Sequence, residues 1–162
     1  MAKMDDLKET KAGAAQTATA LALEGFLPYR LNHLADAVSR EFQKIYKQRH
    51  GLTRPEWRTL ATLGQFGTMT ATAIGEHSSM HKTKVSRAVA ELERRKWLQR
   101  TSDPNDRRVE RLVLTRAGDK VYRELVPVAK GFEAAVFNKM NEAEKAAVVT
   151  GLAALERAFA RK

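Results

Sequence analysis

Cationic and hydroxyl side chains are concentrated in the segment HKTKVSRAVAELERRKWL, residues 81–98. Lys and Arg can donate to guanine O6 and N7 or to phosphates, and Ser and Thr can contact base edges or phosphates. The unpaired N–H groups at a helix N-terminus also attract phosphate. These residue types predict recognition of double-stranded DNA through one cationic helix. The predicted DNA contacts are His81, Lys82, Thr83, Lys84, Ser86 and Arg87.

A second cationic motif is the turn sequence DPNDRR, residues 103–108. We expect Arg107 to enter a minor groove, where planar cations are drawn to negative potential. Arg108 is expected to contact phosphate or to stiffen the loop by pairing with Asp103 or Asp106. Upstream, Thr70 and Thr72 are cap or surface hydroxyls that are also predicted to anchor phosphates.

The net charge supports an anionic partner. Lys and Arg number 29 against 19 Asp and Glu, a formal charge of +10, and residues 80–111 alone hold ten basic and five acidic side chains. The absence of cysteine excludes disulfides, thiolate metal sites and thiol redox sensing. No apolar run is long enough for a membrane span and no secretion signal is visible, so we predict a cytoplasmic protein without membrane contact.

Six helices and a hairpin are predicted around these motifs. Apolar residues recur at spacings of three or four, as in Leu27, Leu31 and Leu34, which is typical of amphipathic helices. Thr53, Thr115 and either Thr68 or Thr70 are N-cap candidates, and Asn141 with Glu144 forms a capping box. The predicted helices cover about 26–48, 53–64, 71–77, 81–96, 116–139 and 141–161, and strands flank the DPND turn.

Helix, short helix, turn, basic helix and hairpin is the element order of a winged helix-turn-helix. The fold class predicted is mainly α with a small two-stranded wing (α+β). The first, fifth and sixth helices have more apolar surface than this small module can cover, so we infer that they form a homodimer interface. The winged helix-turn-helix, residues 52–115, is thus embedded between N- and C-terminal dimerisation helices, residues 26–50 and 116–161. Residues 1–25 are expected to be a flexible arm beside this single domain, 26–162.

The segments LTRPEWRTLATL, MHKTKVSRAVAELERRKWL and DPNDRRVERLVLTRAG resemble the second helix, recognition helix and wing of MarR-type transcriptional regulators. The resemblance covers roughly residues 27–159. It implies a triangular dimer on a pseudo-palindromic operator, with lobes about one DNA turn apart. It also implies a repressor that a small, often aromatic or phenolic, anionic compound releases from DNA.

Four residues are candidates for binding such an effector: Tyr29, Arg30, His33 and Trp57. An aromatic edge, a fixed cation and an imidazole suit an aromatic carboxylate or phenolate. The alternative is that Tyr29 and Trp57 are core residues, while Arg30 and His33 face water or pair across the dimer.

Other functions are less well supported by the residues. His77 and His81 are four apart, but Ser78 and Ser79 should break the helix between them, so we predict no metal site. Arg94, Arg95 and Lys96 are interpreted as a solvated face or as distant phosphate neighbours. No catalytic motif is present, so no enzyme activity and no cofactor are predicted. The main alternative is a constitutive, nonspecific or architectural DNA-binding protein without an effector.

Overall fold

The computed structural model describes residues 20–103, 106 and 109–160 of the chain. A single 3₁₀ turn at Leu23–Gly25 precedes the first α-helix. In chain order the elements of the described part are α1 Leu27–His50, α2 Arg54–Phe66, α3 Ala71–Ser78, α4 Lys82–Arg94, β1 Leu98–Ser102, β2 Glu110–Leu114, α5 Arg116–Phe137 and α6 Glu142–Phe159. The mainly helical fold with a two-stranded wing is confirmed.

The chain divides into two compact units between Glu41 and Phe42, a point inside α1. The described part of the first unit contains the 3₁₀ turn and the start of α1, and its apolar side chains are exposed. The second unit contains the end of α1 and every later element. Of the predicted N-terminal arm, residues 1–19 lie outside the described residues, so the expected domain division stays a prediction.

Capping residues explain where the helices of the second unit begin. The Thr53 N–H donates to the Glu56 carboxylate at 3.1 Å, which completes a capping box at α2. The Thr70 hydroxyl accepts from the amide of Ala73 at α3, and the Thr115 hydroxyl caps α5 in the same way. The predicted capping box of α6, Asn141 with Glu144, is also present. These N-cap predictions are confirmed.

The wing is an antiparallel pair in which Leu98 faces Leu114 and Ser102 faces Glu110. An isolated bridge adds Met69 to this sheet, because its N–H and C=O both bond to Leu112. The segment between α2 and α3 is thereby tied to the wing. The sequence pattern predicted the hairpin but not this bridge.

One apolar core lies inside the second unit, between the end of α1, α2, α3, α4, the wing and the first turns of α5. Ile74, Leu92 and Leu112 have no more than 1% of their surface exposed, and each comes from a different element. Burial at this level stabilises each side chain by about 1.5–3 kcal/mol. The buried members are Tyr46, Leu52, Leu60, Leu63, Ile74, Met80, Val85, Val89, Leu92, Leu98, Leu112, Val121 and Leu125.

Candidate nucleic-acid interface

Helix α4 has one buried and one exposed face. The buried face has no more than 2% of the surface of each side chain exposed, because these residues pack into the core at helical spacing. They are Val85, Ala88, Val89 and Leu92. The side chains predicted to contact DNA all lie on the exposed face. They are Lys82, Thr83, Lys84, Ser86 and Arg87, preceded by the exposed N-cap residue His81.

Pairing divides the cations of α4 and the wing into two groups. Arg94 and Arg95 both donate to Glu91, and Arg100 donates to Glu93 on α4 and Glu110 on β2. These two glutamates raise the pKa of Arg100 because each accepts a hydrogen bond from it. The positive charges of Arg94, Arg95 and Arg100 are therefore largely neutralised by glutamates of the protein itself. In the described part of the chain, by contrast, Lys82, Lys84 and Arg87 form no salt bridge.

The tight turn before α4 brings its first residues to the surface. Ser79 adopts a left-handed conformation with φ of 52°, which ends α3 and separates His77 from His81 as predicted. The Met80 N–H then bonds to the carbonyl of Gly75, and a side chain at Gly75 would lie only 3.0 Å from the Met80 carbonyl. A side chain at position 75 would therefore fit only if the turn between α3 and α4 shifted by a few tenths of an ångström.

A cavity of about 350 Å³ lies between α3 and α4, with Arg100 of the wing at its edge. Buried Val85 and Val89 contribute apolar surface, and Lys82 and Ser86 contribute polar groups. Thr72 also lines this cavity and is exposed, whereas the Thr70 hydroxyl is engaged as the cap of α3. The cavity thus adjoins the predicted DNA contacts of α4.

The wing loop is held by a buried carboxylate. Asp103 is 7% exposed, accepts from the Nε of Arg111 and from the backbone N–H of Asp106, and its own N–H bonds to Val109. Arg111 therefore helps to stiffen the loop, a role that the sequence pattern suggested only for Arg108. Arg107 and Arg108 lie outside the described residues, so their roles stay predictions.

Arg95 corrects one interpretation made from the sequence. Its side chain is only 21% exposed and does not belong to a solvated face. It donates to the carbonyl oxygens of His50 and Gly51 at 2.8 and 3.2 Å, and its guanidinium lies 5.2 Å from the centroid of the Trp97 ring. Arg94, at 72% exposure, does fit the solvated-face interpretation. Sequence spacing could not separate the two because they are adjacent at the end of α4, Arg94 as its last residue and Arg95 as its C-cap.

The four effector candidates belong to different units of the chain. Tyr29 and His33, in the first unit, form a ring contact with 5.3 Å between centroids, and Arg30 is exposed. Trp57, in the second unit, stacks on Tyr46 at 5.6 Å and meets Phe42 edge to face. The predicted cluster of four therefore stays a prediction, and Trp57 has a packing role of its own.

No group of three or more His, Cys, Asp or Glu side chains among the described residues is arranged to hold a metal ion. None of the helices described above is both long and apolar enough to cross a membrane.

Comparison with known proteins identifies this arrangement of helices and wing. The family model described as MarR family matches residues 50–109, the segment from the end of α1 to the wing. A MarR-family transcriptional regulator from Silicibacter pomeroyi is 28% identical and superposes with a TM-score of 0.69 over 84% of this chain and 99% of that one. These matches confirm the resemblance to MarR-type regulators that the sequence motifs indicated.

Two further proteins are similar to this chain over most of its length. YsmB, an uncharacterised HTH-type transcriptional regulator of Bacillus subtilis, is 23% identical over 82% of this chain and 90% of its own length. Bordetella bronchiseptica BpsR, whose DNA binding is regulated by 6-hydroxynicotinic acid, is 25% identical with a TM-score of 0.65 over 78% of this chain and 98% of its own. The chain thus resembles a transcriptional regulator and a DNA-binding protein over most of its length.

Proposed function

We propose that this protein is a homodimeric, sequence-specific repressor that leaves a pseudo-palindromic operator when a small aromatic acid binds. The observation that carries the DNA-binding part is the exposed face of α4. Its three leading cations, Lys82, Lys84 and Arg87, have no salt-bridge partner within the described residues. Unneutralised cations on a helix of this type are suited to phosphates and guanine edges in a major groove.

Exposed apolar residues on the terminal helices support the homodimer. In α6 the exposed fractions of Val149, Leu152 and Phe159 are 59%, 52% and 75%. In α1 Leu31 and Leu34 are 37% and 62% exposed. Apolar side chains repeated along two helices favour association with a second copy of the chain, as in twofold oligomers. Twofold symmetry would present two α4 helices to the two halves of a palindrome.

The proposed effector is a planar aromatic carboxylate or phenolate. Tyr29, Arg30 and His33 supply a ring, a cation and an imidazole within about one turn of α1, and the Tyr29 and His33 rings are in contact. The regulation of BpsR by an aromatic acid supports the same ligand class. An effector of this kind weakens DNA binding only if it prefers a conformation in which the two α4 helices are wrongly spaced.

The decisive experiment is selection of genomic DNA fragments by the full-length protein, followed by competition against random duplex at fixed salt. We expect one operator to be retained against a large excess of random DNA. Little preference, combined with a steep salt dependence, would instead favour the nonspecific or architectural alternative. Release of the selected DNA by aromatic acids, and loss of that release in Arg30→Gln or His33→Ala, tests the effector.

Arg87→Ala is the sharpest single substitution in this test. Because Arg87 is exposed and forms no salt bridge with any described residue, its loss should leave the fold and the dimer intact while costing about 1–3 kcal/mol of operator binding. Arg123→Ala is the matched control, since Arg123 is 76% exposed and pairs with Asp119 on α5. Equal operator affinity in both variants would rule out the assigned role of Arg87.

A further inference from the structure

Arg95 occupies a position where several elements of the second unit meet. It is the C-cap residue of α4, and its Nε donates to Glu91 one turn earlier at 2.7 Å. The two other guanidinium nitrogens reach the end of α1, bonding to the carbonyls of His50 and Gly51. The Glu56 carboxylate at the start of α2 lies 3.6 Å away. One side chain therefore joins the end of α4 to the end of α1 and the start of α2.

The contact to α1 has an electrostatic reason. Carbonyl oxygens at the end of a helix have no partner within the helix and carry partial negative charge, which a cation stabilises. A guanidinium is planar and presents several donors in a fixed fork, so it can bond two neighbouring carbonyls at once. The links span 44 and 45 residues of sequence, so they constrain the tertiary arrangement and not the local turn.

Helix α5 reaches the same place through Trp97. The Trp97 ring lies beneath the Arg95 guanidinium. The backbone carbonyl of Trp97 accepts a hydrogen bond from the Thr115 N–H at the start of α5. His50 contacts the Trp97 ring edge to face and lies 3.6 Å from the Glu124 carboxylate of α5. The ends of two terminal helices thus meet the end of α4 around Arg95.

We propose that Arg95 is a positioning residue that sets the orientation of α4 relative to α1 and α5, and through it the separation of the two α4 helices in the dimer. This inference rests on the function proposed above, because only a dimer on a palindromic site needs a defined separation. Movement of the terminal helices after effector binding would be transmitted to α4 by the hydrogen bonds from Arg95 to the carbonyls of His50 and Gly51. Arg95 itself contacts no DNA in this proposal.

Arg94 provides a matched control for the test. It is the adjacent residue, carries the same charge and donates to the same Glu91 carboxylate, but it forms no hydrogen bond or salt bridge with α1 or α2 within the described residues. Arg95→Gln and Arg94→Gln therefore each remove one positive charge and the hydrogen bonds that one arginine donates to Glu91. Only Arg95→Gln removes the bonds to His50 and Gly51.

The experiment measures the affinity of each dimer for the selected operator and for operators whose half-sites are moved apart or together by one base pair. We expect Arg95→Gln to bind the native operator about tenfold more weakly and Arg94→Gln to stay within about twofold of the wild type. The loss of preference for the native spacing should be specific to Arg95→Gln. A purely destabilising substitution would lower the fraction folded and weaken all spacings equally.

Circular dichroism at the assay temperature establishes that each variant is folded. Arg95→Lys keeps the charge but cannot form the fork, so it should resemble Arg95→Gln in spacing preference. Wild-type spacing preference in either Arg95 variant would overturn the positioning role, and so would unfolding of both variants. If the wild-type protein itself preferred no operator, the proposed function would fail. If the wild-type protein preferred an operator and the Arg95 variants kept its spacing preference, the positioning role alone would fail.

Discussion

Two adjacent arginines show how strongly surroundings decide what a residue does. Arg94 and Arg95 share a carboxylate, yet one is an exposed partner of Glu91 and the other bonds to the end of a helix more than 40 residues away. Hydrogen bonds from Arg94, which has the larger effect, and from Arg95 lower the pKa of Glu91 to about 2 from its ordinary 4.5. The end of α4 is therefore sensitive to acid.

The Glu91 pKa predicts the direction of this sensitivity. A carboxyl group whose pKa is lower in the folded state stabilises the fold above its ordinary pKa of 4.5, and this contribution is lost as the pH falls towards 2. We expect wild type to be more stable than Glu91→Gln at neutral pH, and the difference to shrink between about pH 4.5 and 2. Urea unfolding of both proteins across this range is the measurement. A difference that does not change with pH would contradict the assignment.

Lys96 is a second residue with an unusual local conformation. Its φ of 61° lies in the left-handed region that disfavours a side chain, and the residue is exposed. Lys96→Gly should stabilise the protein by about 1 kcal/mol, because glycine adopts this conformation without steric cost. Arg94→Gly, inside α4, should instead destabilise it by a similar amount. The midpoints of urea unfolding test both, and a fall in both midpoints would contradict the prediction.

At the scale of elements, caps and turns place α4, and a close approach places α5. A Cβ atom at Gly118, in the first turns of α5, would lie 2.0 Å from the carbonyl oxygen of Trp97. The backbone of α5 therefore touches the segment that ends α4. This contact lies beside the Thr115 cap, so the start of α5 is held both by its cap and by packing.

Gly118→Ala tests that contact. Because the nearest atoms belong to the backbone, the helix must shift, and we expect a loss of about 1–3 kcal/mol in the free energy of unfolding. Gly131→Ala is the control in the same helix, since nothing lies within 4 Å of a Cβ atom there. It should raise stability by about 0.5–1 kcal/mol. Equal effects of the two substitutions in thermal or urea unfolding would show that the contact is not restrictive.

At the scale of the whole molecule, charge and apolar surface are found on different elements. Within the described residues, the cations Lys82, Lys84 and Arg87 of α4 form no salt bridge, whereas most of the exposed large apolar residues lie on α1 and α6. This division is consistent with a protein that binds DNA through one surface and a second copy of itself through another. Residues 1–19 lie outside the described part of the chain.

Leu152→Glu tests the proposed dimer. A carboxylate buried in an apolar interface is costly, so we expect the dimer dissociation constant to rise about thirtyfold or more. Phe66→Glu is the control, because Phe66 is 46% exposed on α2, outside the terminal helices. Sedimentation over a range of protein concentrations gives the result. A dimer weakened equally by both, or by neither, would argue against an α6 interface.

The sequence by itself determined the helices, their caps and the hairpin, because apolar spacing and capping residues act over a few positions. Its motifs also indicated the resemblance to MarR-type regulators. It also indicated the α4 cations, whose exposure follows from that same spacing. Only the tertiary structure decided which cations are neutralised, that Arg111 holds Asp103, and that Arg95 bonds to the end of α1. These contacts join residues 8 to 45 positions apart. Their formation depends on how the elements pack together, which no local pattern of residues specifies.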